Sequence, residues 1–217
     1  MSFEATRKAF SLPATHVRAY VRLLFHSSSY IYSTGWFRSL EERRPVNKNG
    51  DPLPWMNYPV ISFLEERLNG HLNLFEYGSG YSTLFFARRV KHVTSVEHDR
   101  KWFDEVKRKM PDNVELMLKE LDIDGNYCSS VLSGPAPYDV IVVDGADRLN
   151  CLKYAVKALT PEGVIVLDDT GPSSKENQIA YLVHNGFRAL NFEGLKPTRS
   201  GIDRTTIFYK RNNCLDI

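Results

Sequence analysis

The run YDVIVVD at residues 138–144 constrains the fold more than any other feature of this chain. It is almost continuously apolar, ends in an acid, and lacks the alternation of a half-exposed strand. A run of this kind fits a strand buried on both faces, as in a parallel sheet covered by helices on two sides. GVIVLD at 163–168 repeats the pattern. From residue 72 onward, short β-rich runs at 72–77, 92–97, 114–118, 138–144 and 163–168 alternate with helical segments at 82–90, 100–110, 149–159 and 174–185. Two last strands, 187–192 and 205–210, have only a Gly- and Pro-containing loop between them, so they should pair antiparallel. The expected architecture is α/β: a doubly wound, mostly parallel seven-stranded sheet that ends in an antiparallel hairpin.

The segment ahead of residue 70 reads differently. Apolar spacing predicts helices at 17–25 and 58–68, the second with Pro59 in its first turn and Gly70 beyond its end. Between them lie a polar and aromatic stretch at 27–36 and a turn-rich loop at 45–54. The chain is therefore divided into an N-terminal helical and irregular extension, 1–69, and a ligand-binding domain, 70–217. With 217 residues and 42% hydrophobic content, it can bury one sizeable core. The net charge of +2 gives no bulk argument for a nucleic acid partner, and none is expected. Arg43, Arg44 and Lys48 read as a solvated loop. Cys128, Cys151 and Cys214 have no zinc-like spacing and read as thiols of a reducing compartment. No apolar run is long enough to cross a bilayer, and residues 1–10 do not resemble a signal peptide, so a cytoplasmic location is expected.

The central motif is EYGSGYST, residues 76–83, placed where the first strand of the alternating region gives way to a helix. Glycines there let the backbone turn sharply and approach a ligand, and the helix N-terminus offers unpaired N–H groups. Doubly wound sheets bind ligands at the carboxyl ends of their strands. Glu97 ends the next strand, about 20 residues on, where an acid meets a ribose in nucleoside-binding folds. A dinucleotide site would carry a third small residue where this chain has Thr83, and Glu76 would repel a pyrophosphate. The same acid suits the amino and sulfonium region of S-adenosylmethionine (SAM), so SAM is favoured over NAD.

Taken in order, FEYGSGYST, SVEHDRKWF, YDVIVVDGADR and GVIVLDDT resemble the class I SAM-dependent methyltransferases, a Rossmann-like family, over roughly residues 70–210. The segment GWFRSLEERRPVNKNGDPLPWMNYPVISFL also looks like small bacterial-type methyltransferases. The resemblance implies a cofactor loop of Gly78, Ser79 and Gly80, continued by Ser82 and Thr83. It implies Glu76 beneath the methionine end, Glu97 on the ribose, His98 beside the adenine, and Asp144 with Gly145 closing the site. The acids at two strand ends, Asp144, Asp168 and Asp169, are the candidate catalytic bases. They also look like the divalent-metal site of catechol- and caffeoyl-CoA-type O-methyltransferases, which would take Mg²⁺ or another divalent cation. This chain departs from that pattern: Asp169 stands where Asn is usual, and Asp147 and Arg148 occupy the stretch where those enzymes place a lysine. Without a metal, Asp144 would serve the cofactor, and Asp168 and Asp169 would cap the following loop.

On the acceptor side, Trp36, Trp55, Tyr58 and the loop 45–54 read either as a lid or as cover for the sheet edge. His184 reads as structural or exposed. The residues after the fourth strand, Asp144-Gly145-Ala146-Asp147, lack the motif that methylates base amino groups. The expected function is methyl transfer to an oxygen of a small molecule or glycan. The alternatives are a nicotinamide-dependent oxidoreductase and a non-catalytic SAM- or nucleoside-binding module.

Overall fold

The computed structural model describes residues 13–135, 137–171 and 176–217. The segment 1–10 and the expected helix start at 174 lie outside these. The N-terminal part holds four helices: α1 (Ala14–Phe25), α2 (Tyr30–Ser33), α3 (Trp36–Glu42) and α4 (Tyr58–Arg67). The alternating part follows as β1 (Asn73–Tyr77), α5 (Tyr81–Ala87), β2 (His92–Glu97), α6 (Arg100–Lys107), β3 (Val114–Leu118), α7 (Asn126–Ser129) and β4 (Tyr138–Val143). It ends with α8 (Arg148–Ala158), β5 (Leu159–Leu167), α9 (Glu176–His184), β6 (Arg188–Leu195) and β7 (Ile202–Tyr209).

The seven strands form one sheet in the order β3-β2-β1-β4-β5-β7-β6. Strands β1 to β5 pair parallel, and β7 runs antiparallel to both β5 and β6. Alternate residues feed two cores. Leu74, Val140, Val142, Val164 and Val166 face α4 and α5, while Phe75, Tyr77, Ile141, Val143, Ile165 and Leu167 face α8 and α9. Burial on both faces explains why 138–144 and 163–168 are so apolar. Helix α4 is started by Asn57, whose side chain accepts the Val60 N–H, and it buries Tyr58, Val60, Ile61 and Leu64 in the first of these cores.

Three expectations shift. Strand β5 begins at Leu159, earlier than the apolar run, because Leu159 pairs with Tyr138 across a register irregularity. Helix α6 stops at Lys107, four residues before Pro111, which cannot continue a helix. The helices α2, α3 and α7 were not foreseen, being four to seven residues long and too short to show a periodicity.

The register sets the site. Tyr77 lies beside Val96 and Val143, and Val143 beside Leu167. The loops after β1, β2, β4 and β5 therefore emerge along one rim. The chain leaves β1 towards β2 and continues past β4 towards β5, so a crevice opens between β1 and β4 on that rim.

Candidate active site

The loop after β1 is held from several directions. Gly78 has φ +92°, a region that an L side chain adopts only with strain, and its N–H donates to Val96 O at 2.9 Å. Thr83 is fully buried; its hydroxyl accepts the Gly80 N–H at 2.9 Å and donates to the Glu76 carboxylate at 2.5 Å. The Ser95 hydroxyl also reaches Glu76, at 3.2 Å. Trp102 in α6 lies against Gly80, and its indole N–H donates to Ser79 O at 2.7 Å. The helix that carries Trp102 is capped by Asp99, which accepts the N–H groups of Lys101 and Trp102.

Glu97 is nearly buried and accepts four hydrogen bonds. Ser79 donates its N–H (3.2 Å) and its hydroxyl (2.9 Å) to one oxygen; His98 N–H (2.7 Å) and Asp99 N–H (2.9 Å) donate to the other. The His98 ring lies 3.2 Å from the same carboxylate and edge-on to Tyr127, 5.7 Å between centroids. Gly145, after β4, closes on the loop so tightly that a Cβ there would stand 2.0 Å from the Tyr127 hydroxyl and 3.2 Å from Gly78 N. That hydroxyl is buried and has no hydrogen-bond partner among the described residues.

Glu76 has one carboxylate oxygen engaged, by the Thr83 and Ser95 hydroxyls. It sits beneath the loop at 1% exposure, and burial pushes its carboxyl up to about 7 against the hydrogen bonds that favour its ionised form. It supports the loop through Thr83 and Ser95, which both donate to that same oxygen.

Two cavities meet at Asp144. One, of about 380 Å³, runs along Ser79–Ser82, Trp102 and the N-terminal residues Glu42–Pro45. The other, of about 210 Å³, lies among Asp168, Asp169, Lys196 and Arg199. Asp144 and Trp55 line both. Trp55 donates its indole N–H to Pro197 O at 2.9 Å, and Trp36 donates to Arg199 O at 2.7 Å, so the N-terminal part is tied to the β6–β7 connection. Tyr58 faces elsewhere, into a groove beside Tyr30. His184 is exposed at the end of α9.

The three acids converge, with ligand-capable oxygens within 4.8 Å of one another. Two cations are already among them. Arg148 contacts Asp144 at 3.0 Å and Asp169 at 3.2 Å, and also donates to Gly145 O. Lys196 lies 3.0 Å from Asp169, 3.2 Å from Asp203 and 3.9 Å from Asp168. Asp168 is buried and accepts from the Thr205 hydroxyl at 2.5 Å. Burial, with the neighbouring acids, pushes Asp144 up to about 7 against the pull of Arg148, and drives Asp168 well above the carboxylate range. Burial acts on Asp169 as well, but Lys196 and Arg148 outweigh it and hold that carboxyl below its ordinary value. Asp169 also adopts φ +53°, which Asp and Asn tolerate better than other side chains. As a ligand set for a divalent cation these acids fit poorly: each has Arg148 or Lys196 within 4 Å, Asp168 has an oxygen engaged by Thr205, and a metal would face two positive charges.

Of the expected site residues, Ser79, Gly80, Ser82 and Asp144 line one cavity, Gly78 and Gly145 approach each other beside it, Glu97 and His98 stand behind Ser79, Thr83 is buried beneath the loop, and Asp168 and Asp169 line the neighbouring cavity. Sequence reasoning missed Arg148, Lys196, Trp102 and Tyr127. Arg148 had a local signal, standing four residues after a strand-terminal acid at the start of a helix. Lys196 had none, because it arrives from the far end of the chain.

The comparisons agree with this geometry. Residues 75–170 match the model of a methyltransferase domain family. No curated protein matches the chain. Among solved structures, an O-methyltransferase from Streptomyces achromogenes in complex with SAM is 18% identical, with 90% of this chain and 96% of that chain covered and a TM-score of 0.53. A precorrin-8w decarboxylase from Methanobacterium thermoautotrophicum is 20% identical over 69% of this chain and 87% of that chain, TM-score 0.55. A precorrin-6y C5,15-methyltransferase from Geobacter metallireducens is 16% identical over 70% and 86%, TM-score 0.52. At these identities the likeness is one of fold, the Rossmann-like sheet with its reversed last strand. The family match covers residues 75–170, the part of the chain that carries the glycine loop and the three acids.

Proposed function

We propose that the protein methylates an oxygen of a small molecule or glycan, with Asp144 as the general base. The observation that carries this reading is the position of Asp144, on the wall shared by the cavity at the glycine loop and the cavity at the acid cluster. The loop side fits a nucleoside cofactor: it has a close-approach glycine pair, a carboxylate that already accepts a hydroxyl, and an orphaned Tyr127 hydroxyl. SAM bound there supplies an electrophilic methyl carbon whose bond to sulfur breaks as the acceptor oxygen bonds to it, with the electron pair left on sulfur. Glu97 accepts from the ribose hydroxyls in place of the Ser79 hydroxyl, and His98 flanks the base.

Asp144 takes the acceptor's proton. A base raised to about 7 is matched to this task near neutral pH, since a weaker base would hold the proton less well in the transition state. Asp169 and Lys196 orient acceptor hydroxyls, and Trp55 forms the apolar wall against which a ring can lie. Trp36 and Trp55, from the N-terminal part, act as the acceptor-side lid. Because the acids are matched by Arg148 and Lys196, no step is routed through a divalent cation. A cytoplasmic location belongs to this proposal; among the described residues, no helix is long and apolar enough to cross a membrane.

The test is calorimetric titration with S-adenosylhomocysteine, followed by radiolabelled methyl transfer to a panel of hydroxylated small molecules and glycans. Saturable binding and label in an acid-stable ether support the proposal. Binding with label only on nitrogen or carbon acceptors overturns the oxygen assignment. Binding with no transfer to any acceptor class favours a non-catalytic module.

A further inference from the structure

Helix α1 has twelve residues and buries none of them. A helix of that length is marginal in water on its own, so a face that packs on nothing among the described residues calls for a partner. Its apolar residues Val17, Tyr20, Val21 and Leu24 fall at i, i+3, i+4 and i+7 and form one stripe. Val17, Tyr20 and Val21 are about half exposed, at 47%, 51% and 52%, and Phe25 at 75%. Arg18 and Arg22, one turn apart, share a flank of the same helix. The exposed aromatics continue on α2, at Tyr30 and Tyr32. Between residues 13 and 40 there are three arginines and no Asp or Glu, although the whole chain is nearly neutral.

We propose that α1 is an interfacial helix that docks the protein on an anionic lipid surface, lying in the headgroup plane with its apolar stripe inserted and Arg18 and Arg22 on lipid phosphates. Basic residues beside an apolar stripe, tyrosines at the boundary and a complete lack of acids are the composition such a surface binds. A second copy of the chain is the rival occupant, because a groove of about 700 Å³ lies between α2 and α4. That groove offers a basic helix little complementary charge: its rim carries Lys48 beside Glu65 and Glu66, and Glu65 is already paired with Arg89. The lipid surface is therefore favoured. The proposal does not rest on the methyl acceptor.

The experiment is co-sedimentation of the full chain with phosphatidylglycerol–phosphatidylcholine vesicles and with phosphatidylcholine vesicles, alongside its solution mass by light scattering. Two variants accompany it, Val21→Asp and the pair Arg18→Gln with Arg22→Gln. Neither touches a buried residue, so thermal unfolding and S-adenosylhomocysteine affinity should match the wild type. Binding is expected only to the anionic vesicles, weakened roughly thirtyfold by the arginine pair and lost with Val21→Asp. Three results overturn the proposal: no preference for anionic vesicles, binding unchanged in either variant, or a wild-type dimer that Val21→Asp turns into a monomer.

Discussion

Replacing Glu76 with Gln should change how stability depends on pH, in a direction and by an amount the structure fixes. Glu76 is 1% exposed, and burial raises its carboxyl from an ordinary 4.5 to about 7. The folded state therefore binds a proton that the unfolded state releases between those two values. For an acid raised by folding, the contribution to stability is greatest below about 4.5 and declines as pH climbs to about 7. At about 1.4 kcal/mol per pH unit, the whole window is worth roughly 3 kcal/mol, most of which falls between pH 5 and pH 8. The Gln side chain is close in shape, can still accept from the Thr83 and Ser95 hydroxyls, and does not titrate. Every other titrating group is common to both proteins, so the difference between variant and wild type isolates Glu76. Urea unfolding near pH 5 and near pH 8 measures it. The stability of Glu76→Gln relative to wild type should rise by roughly 2–3 kcal/mol across that interval. A difference that stays constant within about 0.5 kcal/mol would show that Glu76 is ionised throughout, and that the loop rests on a buried charge.

Further predictions concern the loop and the base. Thr83→Val keeps the shape but strands the Gly80 N–H and removes a donor from Glu76, so it should destabilise the fold by about 1–3 kcal/mol and weaken S-adenosylhomocysteine binding by calorimetry. Trp102→Phe removes the hydrogen bond to Ser79 O while keeping an aromatic ring over Gly80; affinity should drop by a factor of about 3–10, with little change in unfolding temperature. Once an acceptor is in hand, methyl transfer should rise with pH through about 7 and level off, because Asp144 must be deprotonated to act. Asp144→Asn should lower the rate by 10²–10⁴, the usual scale for general base catalysis, and abolish that rise; a pH profile that survives in Asp144→Asn would assign the base elsewhere.

What the sequence disclosed follows from how far apart the cooperating residues lie. Strand β4 was legible because burial on both faces leaves a continuous apolar run, and the glycine loop because a positive φ at Gly78 demands its residue type locally. The antiparallel ending follows from the missing helix before β7. Glu76 was legible as an acid at a strand end but not as one turned under the loop, because which oxygen faces the crevice depends on Thr83 and Ser95 folding over it. The acid cluster shows the same limit more sharply. Its acids stand in the sequence at two strand ends, but their charge balance depends on Lys196, which reaches them only because β7 reverses direction beside β5. Counting carboxylates along the chain suggested a metal; in space the same acids also meet Arg148 and Lys196.

That difference can be tested with Mg²⁺ alone. Arg148 is 14% exposed and touches two of the acids. If the cluster is complete with Arg148 and Lys196, Mg²⁺ has no set of free oxygens to enter, and millimolar Mg²⁺ should leave the unfolding free energy of the wild type unchanged apart from a general salt effect, matched with Na⁺. Arg148→Met removes the shared partner of two half-buried carboxylates and should cost about 2–4 kcal/mol, less than a fully buried pair, because Asp144 and Asp169 then face each other with Lys196 as the remaining cation. The same substitution uncovers carboxylate oxygens suited to a hard cation. Mg²⁺ should then recover part of the loss, by about 1–3 kcal/mol at concentrations ten to a hundred times its dissociation constant. Wild-type protein stabilised by Mg²⁺ beyond the Na⁺ control by more than about 1 kcal/mol would mean that the cation displaces Arg148 or Lys196. The acids would then be a metal site held closed by its own side chains.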